Sequence, residues 1–295
     1  VGAASGNPFQ DVPAAMVVTV QGDVQLRIGD RPLQAAAVGS RLSGGDEVIP
    51  GTGGAVTLID RTGRTQMITE AFTVQVPEGG AQTSVLSRTV RVLASAATTD
   101  ARGNPNRQGM IRGIPGEPTL ISPRNGLKIK STRPTFTWYT VGGATGYTLQ
   151  VRRIGGGFER YQTGPDTVWT LPDSVEALEP GAEYRWTVAT RPSGRPTTEQ
   201  PFTVIGAEAG ETVTSDLALL AEVGLDPATD GLFLAAVVYR DADLLYEAED
   251  ALSALEAGGA PLSASIYLLR GEIFDALGRI EEARIAFDKA DEIMR

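Results

Sequence analysis

Between residues 230 and 295 the sequence runs one helical-hairpin pattern twice, the second copy beginning 35 residues after the first. In the second copy Tyr267, Gly271, Phe274, Gly278, Ala283, Phe287 and Ala290 fall where two antiparallel helices meet, with small residues where the backbones cross closest. Leu232, Ala236, Tyr239, Asp243, Ala248, Leu252 and Leu255 occupy the same slots in the first copy. The spacing predicts helices over Gly231 to Ala242, Leu244 to Glu256, Ser263 to Ala276 and Ile280 to Met294. A leading helix carries Leu217, Leu219, Leu220 and Val223 and stops at Gly224 and Pro227. Two hairpins are too few to close a core by stacking on each other. The leading helix must cap one side, or the hairpins must lean on the preceding β segments or on another chain.

This pattern resembles the tetratricopeptide repeat (TPR), with Arg270 where an apolar residue is usual and Leu255 where a small one is. The resemblance implies a protein-binding scaffold whose groove is lined by the first helix of each repeat. Here that means Phe233, Val237, Arg240, Asp241, Leu268, Glu272 and Asp275. The alternative is that these residues pack against the leading helix or a β-sandwich.

Residues 14 to 94 read as short strands between turns: Ala15 to Val20, Val24 to Ile28, Glu47 to Ile49, Ala55 to Asp60, Thr65 to Ile68, Phe72 to Val76 and Thr89 to Leu93. Gly29-Asp30 and Thr62-Gly63 are hairpin-turn pairs, and Asp46 is placed to accept hydrogen bonds from turn amides. The order Gly22 to Val24, Leu42 with Gly45-Asp46, Gly51-Thr52-Gly53, then Ala55 to Ile59 and Gly63 is similar to the extracytoplasmic domain named after the FecR regulators. Such a regulator also carries a membrane segment and a sigma-factor-engaging part, so the resemblance implies the β module with or without the signalling role.

From Ala94 to Glu117 the chain is Ala, Ser, Thr, Gly, Asn, Pro and Arg without periodicity and reads as a linker. A second β module follows. Phe136 and Trp138, then Tyr147, Leu149 and Val151, then Tyr184, Trp186 and Val188 alternate as three core-facing strands, and the module ends in Pro201 to Val204. Pro134 with Trp138, Gly146-Tyr147, Leu178, Pro180-Gly181 and Tyr184 resemble fibronectin type III and related immunoglobulin-like domains. Trp138 and Trp186 read as core anchors; Trp169 and Tyr161 are the aromatics a sugar could stack on.

The fold class expected is therefore multidomain β plus α. It comprises a small all-β FecR-like domain (1–96), a linker (97–116), a fibronectin III-like β-sandwich (117–206) and TPR-like helical hairpins (207–295).

The chain has no histidine and no cysteine, which removes the imidazole base, the thiolate nucleophile and the commonest ligands of zinc, haem and iron–sulfur clusters. The remaining carboxylate pairs, Glu281-Glu282 and Asp291-Glu292, are adjacent on helix surfaces rather than opposed across a cleft. Asp226, Asp230 and Gly231 lack EF-hand spacing, and Asp226 before Pro227 reads as a helix cap. Gly51-Thr52-Gly53-Gly54 and Gly155-Gly156-Gly157 lack the phosphate-binding context and read as hairpin tips. No enzyme, cofactor or metal is expected.

The longest apolar run, Leu232 to Tyr239, is eight residues, against the roughly 18 of a membrane span. Val1-Gly2-Ala3-Ala4-Ser5 suits a terminus left by signal-peptide removal, giving an extracytoplasmic expectation. Net charge is −10, split unevenly: residues 206–295 carry 19 acidic and 6 basic side chains, the first 205 carry 17 and 20. Arg102, Arg107, Arg112, Arg124, Lys128, Lys130 and Arg133 concentrate the positive charge; without interleaved aromatics they do not predict nucleic-acid binding. The expected partners are other protein subunits, including further copies joined head to tail through this asymmetry. A glycan or cell-envelope ligand is the alternative.

Overall fold

Apolar alternation from Ala14 to Val74 becomes two four-stranded antiparallel sheets in a computed structural model that describes residues 13–77, 88, 89, 91–93, 117–192 and 194–295. The predicted linker (97–116) and Arg102, Arg107 and Arg112 lie outside the described residues. The first sheet has the order β4-β1-β6-β7, formed by Arg41–Leu42, Ala15–Gln21, Ala55–Asp60 and Thr65–Ile68. The second has the order β3-β2-β5-β8, from Gln34–Ala35, Val24–Arg27, Glu47–Pro50 and Phe72–Thr73. Because strand side chains alternate, Val17, Leu42, Val56, Leu58 and Ile68 from one sheet meet Val24, Leu26 and Val48 from the other in one core. Asp46, 4% exposed, accepts from the amides of Gly29 at 2.9 Å and Ser43 at 2.7 Å, so one carboxylate holds two turns in register.

The second module is also a sandwich. Leu120–Ser122 (β9), Thr135–Trp138 (β11) and Val168–Thr170 (β14) form a three-stranded sheet. Lys128–Ile129 (β10), Gly146–Arg153 (β12), Phe158–Thr163 (β13), Glu183–Arg191 (β15) and Gln200–Val204 (β16) form one of five strands, antiparallel except for the parallel β10–β16 pair. Phe136, Trp138, Tyr147, Leu149, Trp186 and Val188 all have at most 1% exposure, as the three alternating strands predict, and Phe202 of β16 joins them at 0%. The Tyr184 hydroxyl accepts from the Glu179 amide at 2.8 Å, the tyrosine corner that closes many immunoglobulin-like sandwiches.

From residue 207 onward the chain is helical: Ala207–Glu222 (α1), Leu232–Asp241 (α2), Leu245–Ala257 (α3), Ala264–Ala276 (α4) and Ile280–Met294 (α5). Beyond α1, Asp226 caps a turn rather than a helix, its carboxylate accepting from the Ala228 amide at 2.8 Å. Between α4 and α5 the Phe287 ring occupies the space a Gly271 side chain would fill, 2.5 Å from where a Cβ would stand. Two left-handed residues stand 35 apart in the helical region: Asp243, in the α2–α3 turn, has φ 63°, and Gly278, between α4 and α5, has φ 73°. A side chain in this left-handed region costs about 1–2 kcal/mol. Gly278→Ala should therefore lower stability by about 1 kcal/mol while Asp243→Gly leaves it unchanged or slightly higher, a contrast readable in urea unfolding midpoints.

The described residues form two compact units. One takes those of 1–107, 214–241 and 248–295; the other takes those of 108–213 and 242–247. Within the first unit the hairpins lean on the N-terminal sandwich. Val38 donates its amide to Pro261 O at 2.8 Å and accepts from Ser263 N at 3.0 Å, forming an isolated parallel bridge to Leu262, and the Thr65 hydroxyl donates to Val223 O. These hydrogen bonds give the hairpins a partner beyond each other. Within the second unit the α2–α3 turn packs on the sandwich: the Tyr246 ring joins its core, its hydroxyl accepts from Arg124 N at 3.1 Å, and Glu247 accepts from Lys130 N at 2.7 Å.

One predicted strand is a helical turn instead. Thr89 to Leu93 alternates like a strand, but residues 88–93 wind as a helix at the described positions. Helical spacing brings Thr89, Val92 and Leu93, at i, i+3 and i+4, to one buried face, with 0%, 7% and 1% exposure. It also sets Arg88 and Arg91 three apart, on one side of the turn, where each meets a carboxylate of the helices.

Candidate functional site

The helical turn meets α1 and α2. Arg91 Nη2 reaches both oxygens of Asp241, at 2.9 Å each. Arg88 pairs with Asp216 of α1, and its Nε stands 3.5 Å from Asp241. Asp241 thus holds two guanidinium groups, and Asp216 a third contact. A planar fork matched to a carboxylate gives orientation as well as attraction, which a lysine ammonium does not. Here α1 and α2 receive a sequence-distant segment through paired guanidinium and carboxylate groups.

The expected groove residues divide into four groups. Phe233 and Val237 are fully enclosed and contribute packing; they present no surface. Arg240 and Glu272 form an ion pair across α2 and α4, with 26% and 11% of their side chains exposed, so each chiefly satisfies the other. Leu268 and Asp275 are half-buried, and Asp241 alone of the seven joins the arginine clamp. Asp216, Arg88 and Arg91 were not singled out in the sequence. The signal that could have found the arginines is their i, i+3 spacing, masked by the alternation of Thr89, Arg91 and Leu93.

A second charged cluster ties the two hairpins together. Arg270, at the slot where a hydrophobic residue was expected, keeps 12% of its side chain exposed and pairs with Glu256 and, at 3.7 Å, with Glu249. Its guanidinium lies 5.1 Å from the Phe274 ring, with Arg279 on the same ring at 4.4 Å. The hydrogen bond from Arg270, ahead of the cost of burial, holds the Glu256 carboxyl below its ordinary 4.5, and Lys289 adds to the effect. A depressed carboxylate pKa stabilises the fold above the unfolded value, and that contribution disappears as the pH falls from about 4.5 through the lowered value. Burial, then Glu249, push Asp250 the other way, so the contribution of Glu256 is read against a variant. Melting of the helical signal between pH 6 and 3 should fall less steeply in Glu256→Gln than in the parent.

Trp169 and Tyr161, the candidate sugar platform, pack on each other with centroids 4.6 Å apart and rings tilted by 30°, and both are half-buried against the sandwich core. Trp169 also lies 6.1 Å from Phe136. They seal the edge between the two sheets. Burial, followed by the charge of Glu159, raises the Tyr161 hydroxyl above its usual range. Of the basic cluster, Lys128 pairs with Asp243 at 3.3 Å and Arg133 with Asp173 at 3.2 Å. Among the described residues no helix is long and apolar enough to cross a membrane.

No family model and no curated protein matches the chain. Among solved structures it is similar to the FN1–FN3 domains of chicken CNTN1, at 12% identity and a TM-score of 0.25, over 66% of this chain and 56% of that one. It is also similar to a β-1,2-glucanase from Parabacteroides distasonis, at 10% identity and a TM-score of 0.24, over 95% and 49%. The chain spans about half the length of these structures, and likenesses of this degree assign it no activity.

Proposed function

We propose that this chain is a non-enzymatic, extracytoplasmic scaffold for protein interaction or assembly. In this reading a FecR-like β domain and a fibronectin III-like sandwich carry TPR-like hairpins, and the acidic face of the hairpins is the docking surface. The observation that carries the reading is the clamp of Asp216 and Asp241 on Arg88 and Arg91: the helical face receives a sequence-distant stretch of its own chain through oriented charge. The tyrosine corner supports the fibronectin III-like assignment, and the paired left-handed turns at Asp243 and Gly278 support the repeat. A side-chain inventory without histidine or cysteine supports a binding role over a reactive centre. The FecR-like turn order supports the extracytoplasmic placement.

Cross-linking in the source cells with a short carboxylate-reactive reagent tests this. Cross-links joining residues 207–295 to a second polypeptide are expected. A chain recovered as cross-linked monomer alone, at its native abundance, would count against the scaffold reading.

A further inference from the structure

We propose that the outer face of the five-stranded sheet binds an acidic polysaccharide, a polymer of uronic acids, through an array of arginines. The site lies within the second unit and does not depend on the docking reading of the helices.

Strand register places the array. Because Tyr147, Leu149 and Val151 face the core, Thr148, Gln150 and Arg152 of β12 point outward. On β15, Arg185 stands opposite Arg152, Thr187 opposite Gln150 and Arg191 opposite Gly146; on β13, Phe158 stands opposite Arg152 and Arg160 opposite Gln150. Arg152, Arg160, Arg185 and Arg191 therefore share one face, in a chain whose net charge is −10. The array follows β15 for six residues, roughly 20 Å at the rise of a strand.

The sheet does not need this charge for itself. Arg152 and Arg185 face each other directly, a pairing that works against the sheet, and the Glu199 carboxylate serves both, at 3.0 Å and 3.4 Å. With Glu199 in place their side chains keep 36% and 44% exposure, and Arg160 is exposed as well. Glu199 and, at the end of the sheet, Glu183 leave the four arginines in excess. Arg191 lies over Gly146, whose missing side chain leaves room for the guanidinium, and donates to Thr163 O and to Gln162. The outward residues of the three-stranded sheet, Thr135, Thr137, Val168 and Thr170, are uncharged, so arginines are not what keeps such a face in water.

The groups between the arginines identify the ligand. A guanidinium fork matches a carboxylate with two parallel hydrogen bonds, and the neutral Gln150, Gln162, Thr148 and Thr187 among them suit hydroxyls. A polymer that alternates carboxylates with hydroxyls meets both sets. An acidic protein segment offers the carboxylates alone. Single-stranded nucleic acid binds through aromatic faces, and Phe158 has its ring under Arg160, 4.9 Å away.

A fluorescent oligogalacturonate titrated with the full chain tests the proposal. Anisotropy should saturate and weaken as salt rises from about 0.05 to about 0.5 M. Unlabelled oligogalacturonate should displace the probe, dextran should not, and polyglutamate or single-stranded DNA of equal charge should compete at least about tenfold less well. Arg160→Gln with Arg185→Gln should weaken binding about tenfold, whereas Arg64→Gln with Arg284→Gln, the same change in net charge away from this face, should leave it within about twofold. Absence of saturable binding, or equal losses in the two double variants, overturns the proposal. Competition by polyglutamate or DNA as strong as by the uronate also overturns it, giving the face to a protein or a nucleic acid. Should the Arg160 and Arg185 variant fail to melt cooperatively, the competition series on the unmodified chain decides.

Discussion

Gly39→Val should destabilise the first unit by about 2–5 kcal/mol and detach the helical hairpins before the β-sandwich melts. Gly39 has φ 82°, a left-handed conformation in which a β-branched residue is a steric outlier. A Cβ there would stand 2.6 Å from Ser263 Oγ and 3.0 Å from Ile266 Cγ1, at the start of α4. The chain is pinned on both sides of this point: Gly39 N donates to Val17 O at 2.9 Å, and Val38 is bridged to Leu262. Neither side can retreat without losing backbone hydrogen bonds, so strain of about 1–2 kcal/mol adds to an overpacking cost of about 1–3. Amide hydrogen exchange checks the result. Protection should fall in α4 and α5 while Val17, Leu26 and Val56 keep theirs; uniform loss, or none, contradicts the Val38–Leu262 bridge as the tie between hairpins and sandwich.

Trp186→Ala should cost the second unit about 3–5 kcal/mol. Trp186 has no exposed surface; its ring lies 5.0 Å from Phe136 and 6.4 Å from Trp138, and its indole N–H donates to Pro123 O. Truncation removes one of the two fully buried tryptophans of this core and leaves a buried carbonyl without its donor. Against a typical stability of about 5–15 kcal/mol, the loss brings the sandwich near its unfolding threshold. Denaturant unfolding followed by fluorescence of the remaining tryptophans measures it. A loss under about 1 kcal/mol would mean that the core is not centred on this residue.

Much of this fold is legible in the residues. Phe136, Trp138, Tyr147, Leu149 and Trp186 alternate with polar neighbours, and a half-wet sheet leaves such residues one place to go. The helix stops at Gly224 and Gly278 follow from backbone geometry that needs no tertiary partner. Two-residue strands such as Gln34–Ala35 are too short to generate periodicity, and they exist because β2 offers them an edge. The turn at 88–93 is the instructive miss. Its β-branched alternation is a real strand signal, and what overrides it is burial at helical spacing together with carboxylates more than a hundred residues away, which no local window contains. The same distance hid the site: Asp241 was visible as a groove residue, but Asp216, Arg88 and Arg91 acquire meaning only through one another.

The central claim is that the Asp216–Asp241 face docks arginine-bearing protein segments, and a binding titration tests it most directly. A fluorescent peptide spanning residues 84–96 is titrated into the chain carrying Arg88→Ala and Arg91→Ala, whose own turn no longer competes through charge. The expected result is saturable anisotropy that weakens as salt rises from 0.05 to about 0.5 M, because partly exposed charge pairs are screened. It should be lost when Asp216→Arg and Asp241→Arg are added. Binding that ignores both the salt and the aspartates, or no binding at millimolar chain, would contradict the account.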